Sequence, residues 1–298
     1  MSAQSGRRVV VGADGGVTDG AAVPWAAEHA RRTGMPLLVV HASEPEALAA
    51  RAAGAGAPDI TALLEAEEER VDVVRRRIAE LAGELGVEAE VSVEHGSPVR
   101  ALLAHEDEAE LIVVGTGRKG ALEEFVLGTT SIGVAAHATC PVVVINPEVD
   151  VSTLTRGVVA VAVDGSADSV AGAEAAIALA ASTGSRLVAV TTWYLEVVDG
   201  YVVTEPDSPE WQQLEAERRA MVERALVVAR AAHPDVPVEV QVRRGPSVST
   251  LCDAASTADV LVIGSRGLGG VRGRLLGSVS QRLMRSSAVP VMVVTRRR

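Results

Sequence analysis

Cysteine is scarce in this chain of 298 residues: there are two, Cys140 and Cys252, far apart and outside any CxxC spacing. That argues against a disulfide framework and against a thiolate zinc site. Long apolar runs are missing as well. None approaches the roughly 18–20 residues that span a bilayer, and the start, MSAQSGRRVVVGADGG, is a polar tail feeding a strand with no signal-peptide core. The expected setting is a reducing cytoplasm, with no membrane partner. Positive charge is in short supply: 28 Lys and Arg stand against 39 Asp and Glu, a formal net of −11. A nucleic-acid partner would select a basic face, so none is expected. No GxxxxGK[ST] occurs, which excludes a P-loop.

What the chain does have is a globular composition, 48% hydrophobic and 22% charged. Its length suits one large core or two ordinary ones of about 150 residues each. The second alternative is written into the sequence as a repeat. Val9–Asp14, VVVGAD, answers Val159–Asp164, VAVAVD; TGMPLLVV ending at Val40 answers TGSRLVAV ending at Val190. AELIVVG at 109–115 answers ADVLVIG at 258–264, and CPVVVI from Cys140 answers VPVMVV from Val289. The offset is 150 early and 149 late, so the copies differ by almost no net insertion. This is a tandem duplication, expected as domains 1–150 and 151–298 with the joint near NPEVDVSTLTRG. Charge is divided unevenly, with 12 basic and 24 acidic residues in 1–150 and 16 basic and 15 acidic in 151–298.

Inside each copy, short Val/Ile/Leu runs alternate with stretches of helical period. Continuous apolar runs are how strands read when helices cover both faces of a parallel sheet. A first helix follows each Asp-Gly turn, through Trp25 and His29 or through Glu174 and Ile177. A longer helix is predicted from Asp59, its N-cap, to Leu85 in copy one. In copy two, Ser208 and Pro209 read as cap and first helical position ahead of EWQQLEAERRAMVERALVVARAA. The fold class expected is α/β: two tandem, doubly wound, five-stranded parallel-sheet domains of Rossmann-like type.

Two glycine-rich segments of equal length follow the fourth strands, GTGRKGALEEFVLGTTS at 115–131 and GSRGLGGVRGRLLGSVS at 264–280. In copy two, Gly264, Gly267 and Gly277 space as G-x2-G-x9-G, with Ser278, Val279 and Ser280 leading a helix. In open parallel sheets the ligand lies beyond the carboxyl ends of the strands. Glycine lets backbone approach an anion, and a helix start presents free N–H groups. Ser278 and Ser280 add hydroxyl donors, so phosphates are the expected guest. The competing reading is a tight turn with a capping serine.

With these residues in view, the chain resembles a tandem universal stress protein of the nucleotide-binding kind, over nearly its whole length. The carriers are VDGS at Val163–Ser166 and the G-x2-G-x9-G-S of copy two. The resemblance implies a site for ATP, with Mg as a candidate companion ion. In copy two it implies Asp164, Val190 and Thr192 at the base, Gly264, Ser265, Arg266 and Gly267 at the ribose and α-phosphate, and Gly277, Ser278, Val279 and Ser280 at the outer phosphates. In copy one it implies Gly12, Asp14, Val40 and Ala42, then Gly115, Thr116, Gly117, Arg118, Lys119 and Gly120, then Gly128, Thr129, Thr130 and Ser131. Adenine nucleotide is the implied partner, with a homodimer and an unidentified protein as candidate contacts. The role implied is a stress-response regulator and not a turnover enzyme. The alternative is a tandem scaffold that binds no nucleotide and works through protein contacts alone.

Copy one departs from the pattern: Arg118 stands where copy two has Gly267, and its glycine falls one position early at Gly117. If the fourth position needs positive φ, Arg resists it by about 1–2 kcal/mol. Glu123 and Glu124 also occupy the segment where copy two has Arg272 and Arg274. Copy one is therefore expected to be the weaker site. Gly115, Gly117 and Gly120 spell GxGxxG, but after strand four and without an acid ending the next strand, which argues against a dinucleotide fold. Six histidines occur and none recurs in register: His41 pairs with Thr191 and His137 with Ser286, while His29, His95, His105 and His233 read as surface or helix-end residues. Ser166 reads as a helix cap, Cys140 as a small buried thiol, and Trp25 and Trp193 as packing or loop residues, with Trp193 near enough to the second strand's end to touch a base.

Overall fold

The computed structural model describes residues 7–14, 20–43, 60–117, 127–194, 197–198, 201–202, 205–206, 208–269 and 276–296. The chain divides into two compact units, Met1–Val151 and Ser152–Arg298. The first contains β1 (Arg8–Gly12), α1 (Ala22–Thr33), β2 (Leu37–Ser43), α2 (Ile60–Leu85), β3 (Ala89–His95), α3 (Pro98–Leu103), β4 (Ala109–Gly115), α4 (Thr129–His137) and β5 (Val142–Ile145). The second contains β6 (Val158–Ala162), α5 (Ala167–Thr183), β7 (Arg186–Trp193), the two-residue strands β8 (Val197–Val198) and β9 (Tyr201–Val202), α6 (Pro209–Ala232), β10 (Val238–Arg244), α7 (Ser247–Ala255), β11 (Val260–Gly264), α8 (Ser278–Ser286) and β12 (Val291–Val294).

Strand order within the first unit is β3-β2-β1-β4-β5, and within the second β10-β7-β6-β11-β12, all neighbours parallel. The order reverses at the first strand of each unit, which is the doubly wound arrangement. Val9, Val10 and Val11 are fully buried, as is Val161. Their continuous β-branched runs follow from helices on both faces. In the second unit α5 and α6 pack together against one face, and α7 and α8 together against the other. The strands β3 and β10 at one end of each order keep polar residues at alternate positions, AEVSVEH and VEVQVRR, as a half-covered strand should. The small hairpin β8–β9 is antiparallel and was not foreseen from the sequence.

Local signals set the helix ends. Ser166 caps α5 by accepting from the Ser169 N–H, and Gly184 closes it at φ 64°. Ser208 caps α6 by accepting from the Trp211 N–H, with Pro209 in the first turn, as the sequence indicated. The cap assigned to Asp59 falls outside the described residues; α2 begins at Ile60. His29 departs from its sequence reading. It is 6% exposed on the inner face of α1, its ring stacked on Trp25 at 5.1 Å, and burial lowers its pKa from 6.5 to about 4. Apolar periodicity places position 29 inward, and the reading by residue type overlooked that.

Candidate functional site

The carboxyl ends of β6 and β11 lie side by side, since β11 pairs with β6 in register Val260↔Val159 through Val262↔Val161. Helix α5 crosses beneath them very closely. A Cβ on Gly264 would stand 2.7 Å from the Asp168 carbonyl carbon and 2.8 Å from the Ser169 nitrogen, so only glycine fits there. That approach brings the first turn of α5 to the loop that leaves β11. Asp168, 5% exposed, accepts from the Ser265 hydroxyl at 2.9 Å and from the Arg266 Nε at 3.0 Å. The Ser166 hydroxyl donates to the Arg266 carbonyl at 3.2 Å.

Asp164 completes the closure. Its Oδ1 accepts from the Ser166 N–H at 3.0 Å, and its Oδ2 accepts from the Leu268 N–H at 3.1 Å. One carboxylate thus joins the turn after β6 to the loop after β11. Gly267 lies over it, and a Cβ there would stand 2.5 Å from Oδ2. Gly267 does not adopt positive φ. The expectation of a left-handed fourth position is therefore corrected: glycine is needed for space above the carboxylate, not for backbone hand. In the first unit the positive φ belongs to Gly117, at 86°, one position earlier.

The loop returns at Gly277, whose N–H donates to the Ser265 carbonyl at 2.8 Å. It caps α8 with no side-chain hydrogen bond. The first N–H groups of α8 therefore have no capping side chain, in contrast to α5 and α6, and the residues at this helix start line the cavity. Ser280 departs from its expected role as a phosphate donor. It is 5% exposed and its hydroxyl donates to the Gly264 carbonyl at 2.9 Å, tying the helix to the strand end. Ser131 does the same for Gly115 at 2.7 Å. Ser278 and Val279 are exposed at the helix start.

These elements enclose a cavity of ≈ 380 Å³ in the second unit, within the size range of small-molecule sites. Asp164, Val190, Thr192, Gly264, Arg266, Gly267, Gly277, Ser278, Val279 and Ser280 all line it. Ser265 does not: it is fully buried and turned toward Asp168. Trp193 is also absent from the lining and is instead packed edge-on against Trp211 at 4.7 Å, beside Leu214. Arg218, Ser247 and Leu251 line the cavity without having been singled out in the sequence. Ser247 occupies the register of Pro98, which lines the first unit's cavity, but no motif marks either position, and nothing local to Arg218 announces it.

The first unit repeats the geometry. Gly12, Asp14, Val40, Ala42, Gly115, Gly117, Gly128, Thr129, Thr130 and Ser131 line a cavity of ≈ 330 Å³. Gly128 donates to the Thr116 carbonyl at 2.8 Å, as Gly277 does to Ser265. Thr116 is itself buried, at 2% exposure. Arg118, Lys119, Gly120, Glu123 and Glu124, and in the second unit Arg272 and Arg274, lie outside the described residues. Among the described residues, no group of three or more His, Cys, Asp or Glu stands together as a metal site, and no helix is long and apolar enough to cross a membrane.

A sequence profile of the "Universal stress protein family" matches residues 6–146 and again 156–295. The chain is 32% identical over 291 residues to a universal stress protein of Mycolicibacterium smegmatis, covering 96% of each chain. It is 31% identical over 306 residues to one of Mycobacterium tuberculosis strain H37Rv, covering 98% of this chain and 96% of that one. Among solved structures, a universal stress protein from Archaeoglobus fulgidus DSM 4304 superposes with a TM-score of 0.70 at 20% identity, over 98% of this chain and all of that one.

Proposed function

The chain belongs to the universal stress protein family, in tandem form, and from that premise we propose that it is an ATP-binding regulator. The observation that carries the reading is the closed loop of the second unit: Asp164 holds Leu268, Gly277 returns on Ser265, and α8 begins without a side-chain cap. Phosphates suit the α8 end, where N–H groups and the helix dipole favour negative charge. Arg266 and Arg218 line the same cavity; the Arg266 guanidinium is shared with Asp168 through its Nε, and both residues bring positive charge to that wall. A Mg ion accompanying the triphosphate would neutralise phosphate charge, and among the described residues no group of three or more His, Cys, Asp or Glu would hold it.

Function follows from differential binding. A nucleotide that is held only when the loop is closed favours the closed form and any dimer or partner surface that depends on it. This is regulation by occupancy in a cytoplasmic protein, not turnover. The two units take nucleotide unequally, the second first. Calorimetry on the full chain tests the reading, with native mass spectrometry for stoichiometry. ATP binds wild type and is lost from the second site in Gly277→Val, because a Cβ there already stands 3.4 Å from the Ser265 carbonyl oxygen and the Ser280 hydroxyl, and a branched side chain displaces the loop that forms the site. Unchanged ATP affinity in a folded Gly277→Val protein refutes the assignment, and a wild-type protein that takes up no nucleotide favours the scaffold reading.

A further inference from the structure

The two cavities share a wall plan. Asp14 and Asp164, Val40 and Val190, and Leu102 and Leu251 hold matching positions in them. They differ at the end away from the glycine loop. In the second unit Thr192, on β7, donates its hydroxyl to Ser247, the first residue of α7, at 3.0 Å. The same two positions in the first unit are Ala42 and Pro98, which line that cavity with no side-chain polar atom.

β7 and β11 flank β6 on opposite sides, so the hydroxyl pair stands roughly 10 Å across the sheet from the phosphate-binding loop. That span separates the phosphate end of a nucleotide from its base. With the Thr192 proton given to Ser247, the Ser247 proton remains available, and it makes no other hydrogen bond among the described residues. Thr192 Oγ1 keeps its lone pairs. The pair therefore offers one donor beside one acceptor. The complementary ligand edge carries an acceptor beside a donor, as the ring nitrogen and amino group of adenine do.

We infer that Thr192 and Ser247 form a specificity-determining pair that reads the polar edge of the base, making the second cavity more selective than the first, which lacks both hydroxyls. The inference rests on the nucleotide reading above and assigns its base end. Neither residue caps a helix, since the N-cap of α7 is Pro246, with no side-chain cap hydrogen bond, so both are replaceable.

The test is calorimetry on the full chain with three probes: ATP, purine riboside triphosphate lacking the amino group, and inorganic tripolyphosphate. Ser247→Ala, and the double variant Thr192→Ala/Ser247→Pro that copies the first unit, lower ATP affinity at the second site by about 3- to 10-fold. Tripolyphosphate is unaffected, and the preference for ATP over the amino-free analogue disappears. Thr192→Ser retains it. The reverse exchange, Ala42→Thr/Pro98→Ser, introduces that preference in the first site. If the variants lose ATP and tripolyphosphate equally, or lower the melting temperature while the preference stays, the pair is only a tie between β7 and α7 and the inference falls. Should wild type bind tripolyphosphate but show no preference among the nucleotides, the inference falls while the phosphate site stands. Failure of wild type to bind any probe overturns the nucleotide reading itself.

Discussion

Gly264, the last residue of β11, and Gly267, in the loop that follows, are three residues apart, yet adding a single methyl group to each should fail in different ways. At 264 the new Cβ meets backbone, 2.7 Å from the Asp168 carbonyl carbon. Backbone of a packed helix cannot step aside, so β11 and α5 must separate, at the usual overpacking cost of about 1–3 kcal/mol. At 267 the Cβ meets only the Asp164 Oδ2, at 2.5 Å. An unstrained C···O contact is about 3.3 Å, so the oxygen must retreat by roughly 0.8 Å. It holds the Leu268 N–H at 3.1 Å, while Oδ1 is anchored on Ser166. The carboxylate therefore releases Leu268, and the loop loses one charge-assisted hydrogen bond worth about 1–2 kcal/mol net. Because φ at 267 is not positive, alanine adds no backbone strain. Gly264→Ala should lower the urea midpoint of the second unit. Gly267→Ala should lower the midpoint by a smaller amount, at most that of the one lost hydrogen bond, weaken ATP by up to about 5- to 30-fold, and speed hydrogen exchange at the Leu268 amide. Unchanged Leu268 exchange in Gly267→Ala, or the same stability loss in both variants, would refute the distinction between backbone clearance and carboxylate clearance.

Asp168→Ala leaves the Ser265 hydroxyl fully buried without its acceptor; denaturation should show a loss of about 1–3 kcal/mol, with Asp168→Asn intermediate. His29 makes the first unit acid-sensitive. Its folded pKa lies below the ordinary 6.5, at about 4, because burial opposes the charge. The unfolded chain thus binds the proton first as pH falls: the contribution is whole above pH 6.5 and is lost as pH drops toward 4, by up to about 3 kcal/mol. Unfolding free energies at pH 7 and pH 5 should differ more in wild type than in His29→Phe, and an equal difference would remove His29 as the cause.

The parts of the fold that depend on local chemistry were legible in the sequence. The repeat, the Val-rich strands and the Ser208-Pro209 start of α6 each follow from a few adjacent residues. The loops were legible in placement, because a doubly wound sheet brings the carboxyl ends of its first and fourth strands together at the point where strand order reverses. What each side chain does in them was not. Ser265 and Ser280 are small, polar and in the motif, yet both donate inward, to Asp168 and to Gly264. The deciding partner of Ser265 is 97 residues away, and no periodicity says which residue of α5 will face it. The same distance hides Asp164's grip on Leu268, and so the true reason for Gly267. Arg218 reaches the cavity from the middle of a helix whose own pattern is explained by packing.

The Asp164–Leu268 hydrogen bond closes over 104 residues, and this has a consequence for the order in which the second unit comes into being. During synthesis β6, β7 and β10 emerge together and can pair, but the other edge of β6 must wait for β11. Contacts of such separation form late and slowly. Everything the cavity needs from the loop, from Gly264 to the start of α8, is added in that last step. A nascent or truncated chain that ends before residue 264 can be largely structured and still have no ligand site. Ligand present at that moment would act on the final docking event, stabilising the finished unit over its three-stranded precursor in proportion to its concentration. Occupancy of the second cavity would in this sense report that β11 and the loop after it have docked.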